Sequence, residues 1–225
     1  MSKAGSMTMQ NEGTGIAAGK ILLKRAYDAP AASDGVRVLV DRLWPRGVSK
    51  AEAHLDAWMR ELGPSDALRT RFGHQPEHWE TFVTGYRGEL STPMRQVLLA
   101  MLQGVASHTT LTLVYGARDT QQNEAVVLRQ DLLRAHAQPP AGGDAPATLL
   151  AAMAVVAAAQ PDAVAALASV ERFAAPLLTA DEIASARSTL LADGQVRPVP
   201  GGWEVTTRGS KHLRDLACAA APAPT

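Results

Sequence analysis

The sequence predicts an α/β protein: a small, mostly parallel sheet with flanking helices, followed by a winged-helix-like α+β domain at the C-terminus. Three observations carry this expectation. The order strand, charged loop, helix occurs twice in the first 135 residues, over 36–62 and again from Leu111, which is the rhythm of parallel strands linked through helices. The stretch "HAQPPAGGDAP" over 136–146 has no apolar period and reads as a linker. Beyond it the chain reads helix, helix, helix, hairpin, the order of a winged helix.

Each element rests on its own pattern. "ILLKRAYD" from Ile21 and "VRVLV" from Val36 are apolar and β-branched runs separated by the turn-rich "APAASDG", and so are expected as strands. Ser49 and Glu52 form a capping box for an expected helix whose Leu55, Trp58, Met59 and Leu62 share one face, stopped by Gly63 and Pro64. A second helix is expected from about Pro76, where Trp79, Phe82, Val83, Tyr86 and Leu90 recur at helical spacing, and a third after Thr92-Pro93. "LTLVY" over 111–115 reads as a buried strand, leading through "GARDTQQN" into a helix capped by Asp119.

After the linker, "TLLAAMAVVAAA" and "DAVAALASVERFAA" read as two helices, and Thr179 with Glu182 is a capping box opening a third that Gly194 ends. "QVRPVPGGWEVTTRG" is then two short strands around Pro-Gly-Gly. The expected organisation is a tail over 1–19, an α/β domain over 20–136, a linker over 137–146, a winged-helix-like domain over 147–218 and a short tail over 219–225.

Composition limits the function classes. Lys and Arg balance Asp and Glu at 22 each, so no global charge steers the chain toward nucleic acid or an anionic membrane. A single cysteine, Cys218, leaves no internal disulfide framework and fits a reducing compartment. No signal-like apolar stretch stands at the start, and the longest apolar run, over 149–159, falls short of the roughly 18 residues a membrane span needs. A cytoplasmic location, with no membrane partner, is expected. There is no CxxC, HExxH, Walker loop or GxGxxG, so neither a metal nor a nucleotide cofactor is expected.

The chemistry collects at two strand ends. After Val40 come Asp41, Arg42, Trp44 and Arg46, and after Tyr115 come Arg118 and Asp119. Ligands of open α/β sheets bind beyond the carboxyl ends of the strands. If these two strands are neighbours, their loops face one crevice in which Arg42, Arg46 and Arg118 hold an anionic group by forked hydrogen bonds. The structural alternative pairs Arg42 with Asp119 and Arg118 with Asp41, with Trp44 merely covering the sheet edge. His74, in the turn Gly-His-x-Pro, is a candidate acid or base alongside Asp41 and Asp119, its alternative being a loop histidine bonded to backbone. The residues do not establish catalysis.

"VLVDRLWPRG", "LDAWMRELGPSDALRTRFGHQPEHWETF" and "LVYGARDTQQNEAVVL" resemble the YeaO-like proteins of the domain of unknown function 488, in order and over about 21–133. The resemblance implies a small bacterial cytoplasmic α/β domain. It puts Asp41, Arg42, Trp44, Pro45, Arg46, His74, Trp79, Arg118, Asp119 and Asn123 on signature positions, with Asn123 added to the ligand-binding set. It implies no reaction. Members commonly carry His-Asn where this chain has Gln122-Asn123, so a proton-transfer role at that position is not expected.

A DNA-binding winged helix needs a basic third helix or wing. Arg187, Arg197 and Arg208 are the candidates, but from Pro146 onward six Lys and Arg face seven Asp and Glu. Few phosphates would be neutralised, so the pattern favours a protein contact or homodimer over DNA.

Overall fold

A computed structural model describes residues 16–17, 20–134 and 144–219. The expected tails and most of the expected linker lie outside the described residues. Four strands, β1 (Ile21–Arg25), β2 (Val36–Leu39), β3 (Ala57–Trp58) and β4 (Leu111–Tyr115), form a sheet of order β1-β4-β2-β3. Every pairing is parallel, as the sequence predicts. β4 is buried along its whole length, as a central strand has to be, its one polar residue, Thr112, donating to Asp34 O.

The expected helix over 49–62 is not formed. Ser49 caps only one turn, α1 (Lys50–Ala53), which His54 closes in the left-handed conformation. The chain then becomes β3, followed by a 3-10 turn at Arg60–Leu62. Asp56 makes this switch: its backbone N–H donates to Arg37 O, and its carboxylate accepts from Arg37 N at 2.9 Å. Sheet register then decides the apolar pattern. Ala57 and Met59 join the main core, while Leu55 and Trp58 pack on the opposite face with Leu39 and Val114. A spacing of 55, 58, 59 and 62 satisfies a helical period, but 57–59 in fact alternates across the sheet.

Helix α2 (Asp66–Phe72), capped by Ser65, lies between the expected elements. α3 (Trp79–Leu90) follows a 3-10 turn at Pro76–His78, and α4 (Pro93–His108) starts at the Thr92-Pro93 signal. α5 (Glu124–Arg134) follows β4. Its cap is Asn123, whose Oδ1 accepts from Val126 N at 3.1 Å, not Asp119 as expected. Asp119 instead closes the preceding turn, accepting from the N–H groups of Gln121 and Gln122.

The remaining elements are α6 (Ala145–Ala159), α7 (Leu167–Ala174), α8 (Ala180–Ala192), the hairpin β5 (Val196–Val199) with β6 (Gly202–Val205), and α9 (Thr207–Ala219). α6 is apolar on all sides, so it has to be surrounded. Ten of its fifteen residues are buried, and it packs on β3, α7, α8 and β6. Leu149, Met153 and Phe173 therefore share one continuous apolar core with Val38, Leu113 and Leu128. α4 closes the packing: a Cβ on Gly104 would stand 2.1 Å from the ring of Pro176. The Thr179–Glu182 capping box of α8 is formed as predicted.

Candidate functional site

Because β2 and β4 pair directly, Val40 N donates to Val114 O at 3.0 Å and the two following loops leave the sheet side by side. Between them and α2 opens a cleft of about 540 Å³. The β2 loop is pinned by two tryptophans, its own Trp44 and Trp58 of β3. Trp58 donates its indole N–H to Asp41 O at 2.8 Å, Trp44 donates to Val48 O at 2.7 Å, and the two rings meet edge to face at 5.3 Å. Part of the density of special residues in "VLVDRLWPRG" thus has a local cause: Trp44, packed against Trp58 of β3, helps to fix the backbone that presents Asp41 and Arg42.

Asp41 lies on the cleft wall with Glu124. Its Oδ2 accepts from Gly116 N at 2.9 Å, and a Cβ at Gly116 would crowd that oxygen at 2.8 Å. Oδ1 is buried without an ordinary donor. The Glu124 carboxyl shares the cleft wall within hydrogen-bonding reach of Asp41, and two carboxyls can be joined only by a proton that one of them carries. Burial first, and then the hydrogen bond and charge of Glu124, push the Asp41 carboxyl up to about 9.

Cations border this acidic pair. Arg42, Arg46 and Arg69 line the cleft. Arg42 is loosely held, 3.8 Å from Glu61 and 3.9 Å from Asp66, while Arg69 bonds Asp66 at 3.1 Å. Such half-exposed pairs are weak, so the guanidinium groups are available to an incoming anion. Arg95 steadies the wall behind them, donating to Glu61 O, Gly63 O and Glu89. A chain of rings, Phe72, Phe82 and Tyr86, backs the cleft, with centroids 4.7 and 5.7 Å apart.

Of the residues expected here, Asp41, Arg42, Trp44, Arg46, His74 and Asn123 line the cleft. Arg118 and Asp119 do not; both are exposed outside it. Neither of the structural pairs, Arg42 with Asp119 or Arg118 with Asp41, is present. His74 stands at the rim with φ 55°, a left-handed backbone uncommon outside glycine, after Gly73 at φ 54°. The Gln121 and Gln122 N–H groups hold the Asp119 carboxyl below its usual range, with a lesser contribution from His74. Glu124 and Arg69 are the wall residues the sequence reading missed. An acid at the first position of a helix ordinarily reads as a partner of the helix dipole, and nothing short of the β2–β4 register brings it to Asp41.

In the C-terminal elements, Arg197 pairs with Glu204 at 2.7 Å, and the Arg187 guanidinium lies 5.9 Å from the Trp203 ring centroid. Arg208 is exposed at the start of α9. Among the described residues no group of acids, histidines or cysteines has the arrangement of a metal site, and no helix is long and apolar enough to cross a membrane.

The chain is 43% identical over 108 residues to the uncharacterized protein YeaO of Escherichia coli (strain K12), covering 48% of this chain and 92% of that protein. It is 33% identical over 111 residues to the uncharacterized protein Rv3073c of Mycobacterium tuberculosis (strain ATCC 25618 / H37Rv), covering 49% and 92%, and equally to Mb3100c of Mycobacterium bovis. No solved structure matches. The family model described as "Inactive DUF488-N3 subclade" matches residues 20–148, which span the sheet, the cleft and the start of α6. The chain belongs to this YeaO-like DUF488 family.

Proposed function

We propose that this protein binds a small anionic molecule in the cleft at the strand ends and does so without turning it over. The observation that carries the reading is the cleft itself, with Arg42, Arg46 and Arg69 converging on about 540 Å³ of space beyond β2 and β4. That is the place where open parallel sheets take ligands, and forked guanidinium groups suit carboxylate or phosphate. The word "inactive" in the family's description supports binding over catalysis. The test is a thermal-shift screen of the full chain against phosphorylated and carboxylated metabolites, repeated with Arg42→Ala. A ligand that binds only the folded state raises its stability by mass action. Stabilisation that disappears in Arg42→Ala is the expected result; no stabilisation by any compound sinks the reading.

A second reading is a regulator acting through the C-terminal elements as a winged helix. It is supported by the order α6, α7, α8, β5, β6 and by the single antiparallel bridge between Ala165 and Trp203 at the edge of the hairpin. With Arg197 engaged by Glu204, a protein partner or a second copy of the chain fits this surface better than DNA. Gel-shift titration against genomic fragments at low and physiological salt tests it; salt-sensitive binding lost in Arg208→Ala with Arg187→Ala would favour DNA.

A further inference from the structure

Resting on the anion-binding reading above, we infer that the ligand of the strand-end cleft is amphoteric: a small molecule that offers its acid group to Arg42 and Arg46 and a protonated nitrogen to the paired carboxyls of Asp41 and Glu124. Gly116 N satisfies one oxygen of Asp41; the other is buried and has no donor, and the Glu124 carboxyl lines the same cleft. Buried acceptors in folded proteins generally have a partner, and this one is satisfied only by a proton held between the acids or by a donor that a ligand brings. A purely anionic ligand would not supply one, because it brings acceptors to acceptors.

The rest of the cleft limits the ligand further. Arg42, Arg46 and Arg69 border the same space as the acids, so opposite charges stand within one cavity. Apolar surface lies around them: Trp44, Phe72 and Phe82 line the cleft, and Tyr27 and Leu43 are also among its lining residues, 51% and 57% exposed. Large apolar side chains left this open at a cleft mouth match a ligand with an apolar middle portion. Amino acids, and amino-phosphates of similar size, have this chemistry.

Proton balance gives the inference a signature. Near neutral pH the Asp41 carboxyl of the empty cleft keeps its proton. An ammonium that hydrogen-bonds to both replaces this proton, which leaves to solvent; the ligand nitrogen keeps its own. No bond to carbon forms or breaks.

The experiment is isothermal calorimetry of the full chain at pH 7.5 in two buffers of different ionisation enthalpy. The probes are the twenty amino acids, 4-aminobutyrate and phosphoethanolamine, each run beside its counterpart without the amine; for phenylalanine and phosphoethanolamine these are 3-phenylpropionate and ethyl phosphate. The inference expects at least one amine-bearing probe to bind tenfold or more tightly than its counterpart, releasing up to one proton. Glu124→Gln should reduce that preference to within about twofold, and Asp41→Asn should do the same if the first variant does not fold. Arg42→Ala should weaken both members of the pair. Equal binding of a probe and its counterpart overturns the inference and leaves the anion site standing. Preference without sensitivity to either acid variant also overturns it. Absence of binding by every probe and counterpart overturns both.

Discussion

Asp41→Asn is expected to stabilise this protein, and increasingly so as pH rises. In the fold the Asp41 carboxyl keeps its proton up to about 9, against 3.8 for the free side chain. Between these values the folded state holds a proton the unfolded state has lost, so stability falls with rising pH. The contribution of Asp41 is undiminished below about pH 4, declines across the interval, and is fully lost above about pH 9. At roughly 1.4 kcal/mol per pH unit, holding the proton costs about 4 kcal/mol at pH 7 and about 2 kcal/mol at pH 5. An asparagine of the same shape avoids this cost: its carbonyl can accept from Gly116 N, and its amide can donate to Glu124. The expected gain at pH 7 is up to about 4 kcal/mol, on the order of 10 °C in Tm for a chain of this size. Urea unfolding of wild type and Asp41→Asn at pH 5, 7 and 8.5 measures it. A gain that does not grow with pH, or a variant less stable than wild type at pH 8.5, would refute the shared proton and leave Asp41 as an ionised partner of nearby cations.

Three further substitutions test the parts that support the cleft. Asn123→Ala removes the cap of α5 and should cost about 1 kcal/mol, read as a fall of a few degrees in Tm, with the cleft wall loosened beside it. Gly63→Ala would put a Cβ 2.4 Å from Arg42 N, and should destabilise by about 2 kcal/mol in urea unfolding while weakening anion binding, because the backbone that carries Arg42 has to move. Tyr86→Phe deletes a buried hydroxyl that donates to Leu62 O at 2.8 Å; chemical denaturation should show a loss of about 1 to 2 kcal/mol, since the carbonyl is left unpaired, with anion affinity unchanged.

The strand-end logic was legible in the sequence because central parallel strands are rich in β-branched and apolar residues, as "LTLVY" and "VRVLV" are apart from Thr112 and Arg37. Their adjacency was only a condition of that reading; the β2–β4 pairing supplies it and brings Asp41, Arg42, Trp44, Arg46 and Asn123 to one cleft. The error over 49–62 has a definite physical origin. Four residues fit a helical face, but the backbone hydrogen bonds went to β2, with Asp56 capping Arg37 and His54 taking a left-handed turn, and neither event leaves an apolar signature. Arg118 and Asp119 failed as cleft residues for a similar reason: strand proximity carries a side chain to the rim only if its loop turns inward. Here the turn closed by Asp119 leaves both facing solvent. Glu124 was hidden because its role is relational, existing only where the register of two strands sets it against Asp41.

The central claim is that the cleft beyond β2 and β4, and no other surface, receives the ligand. It is tested most directly by two-dimensional amide and indole NMR during titration with phosphate and with citrate. The account predicts saturable shifts of the Gly116 amide and the Trp44 indole, both bordering the cleft, with the Trp203 indole in the β5–β6 hairpin unmoved and the Gly116 response lost in Arg42→Ala. Shifts that gather at Trp203 and leave Gly116 and Trp44 in place would contradict it.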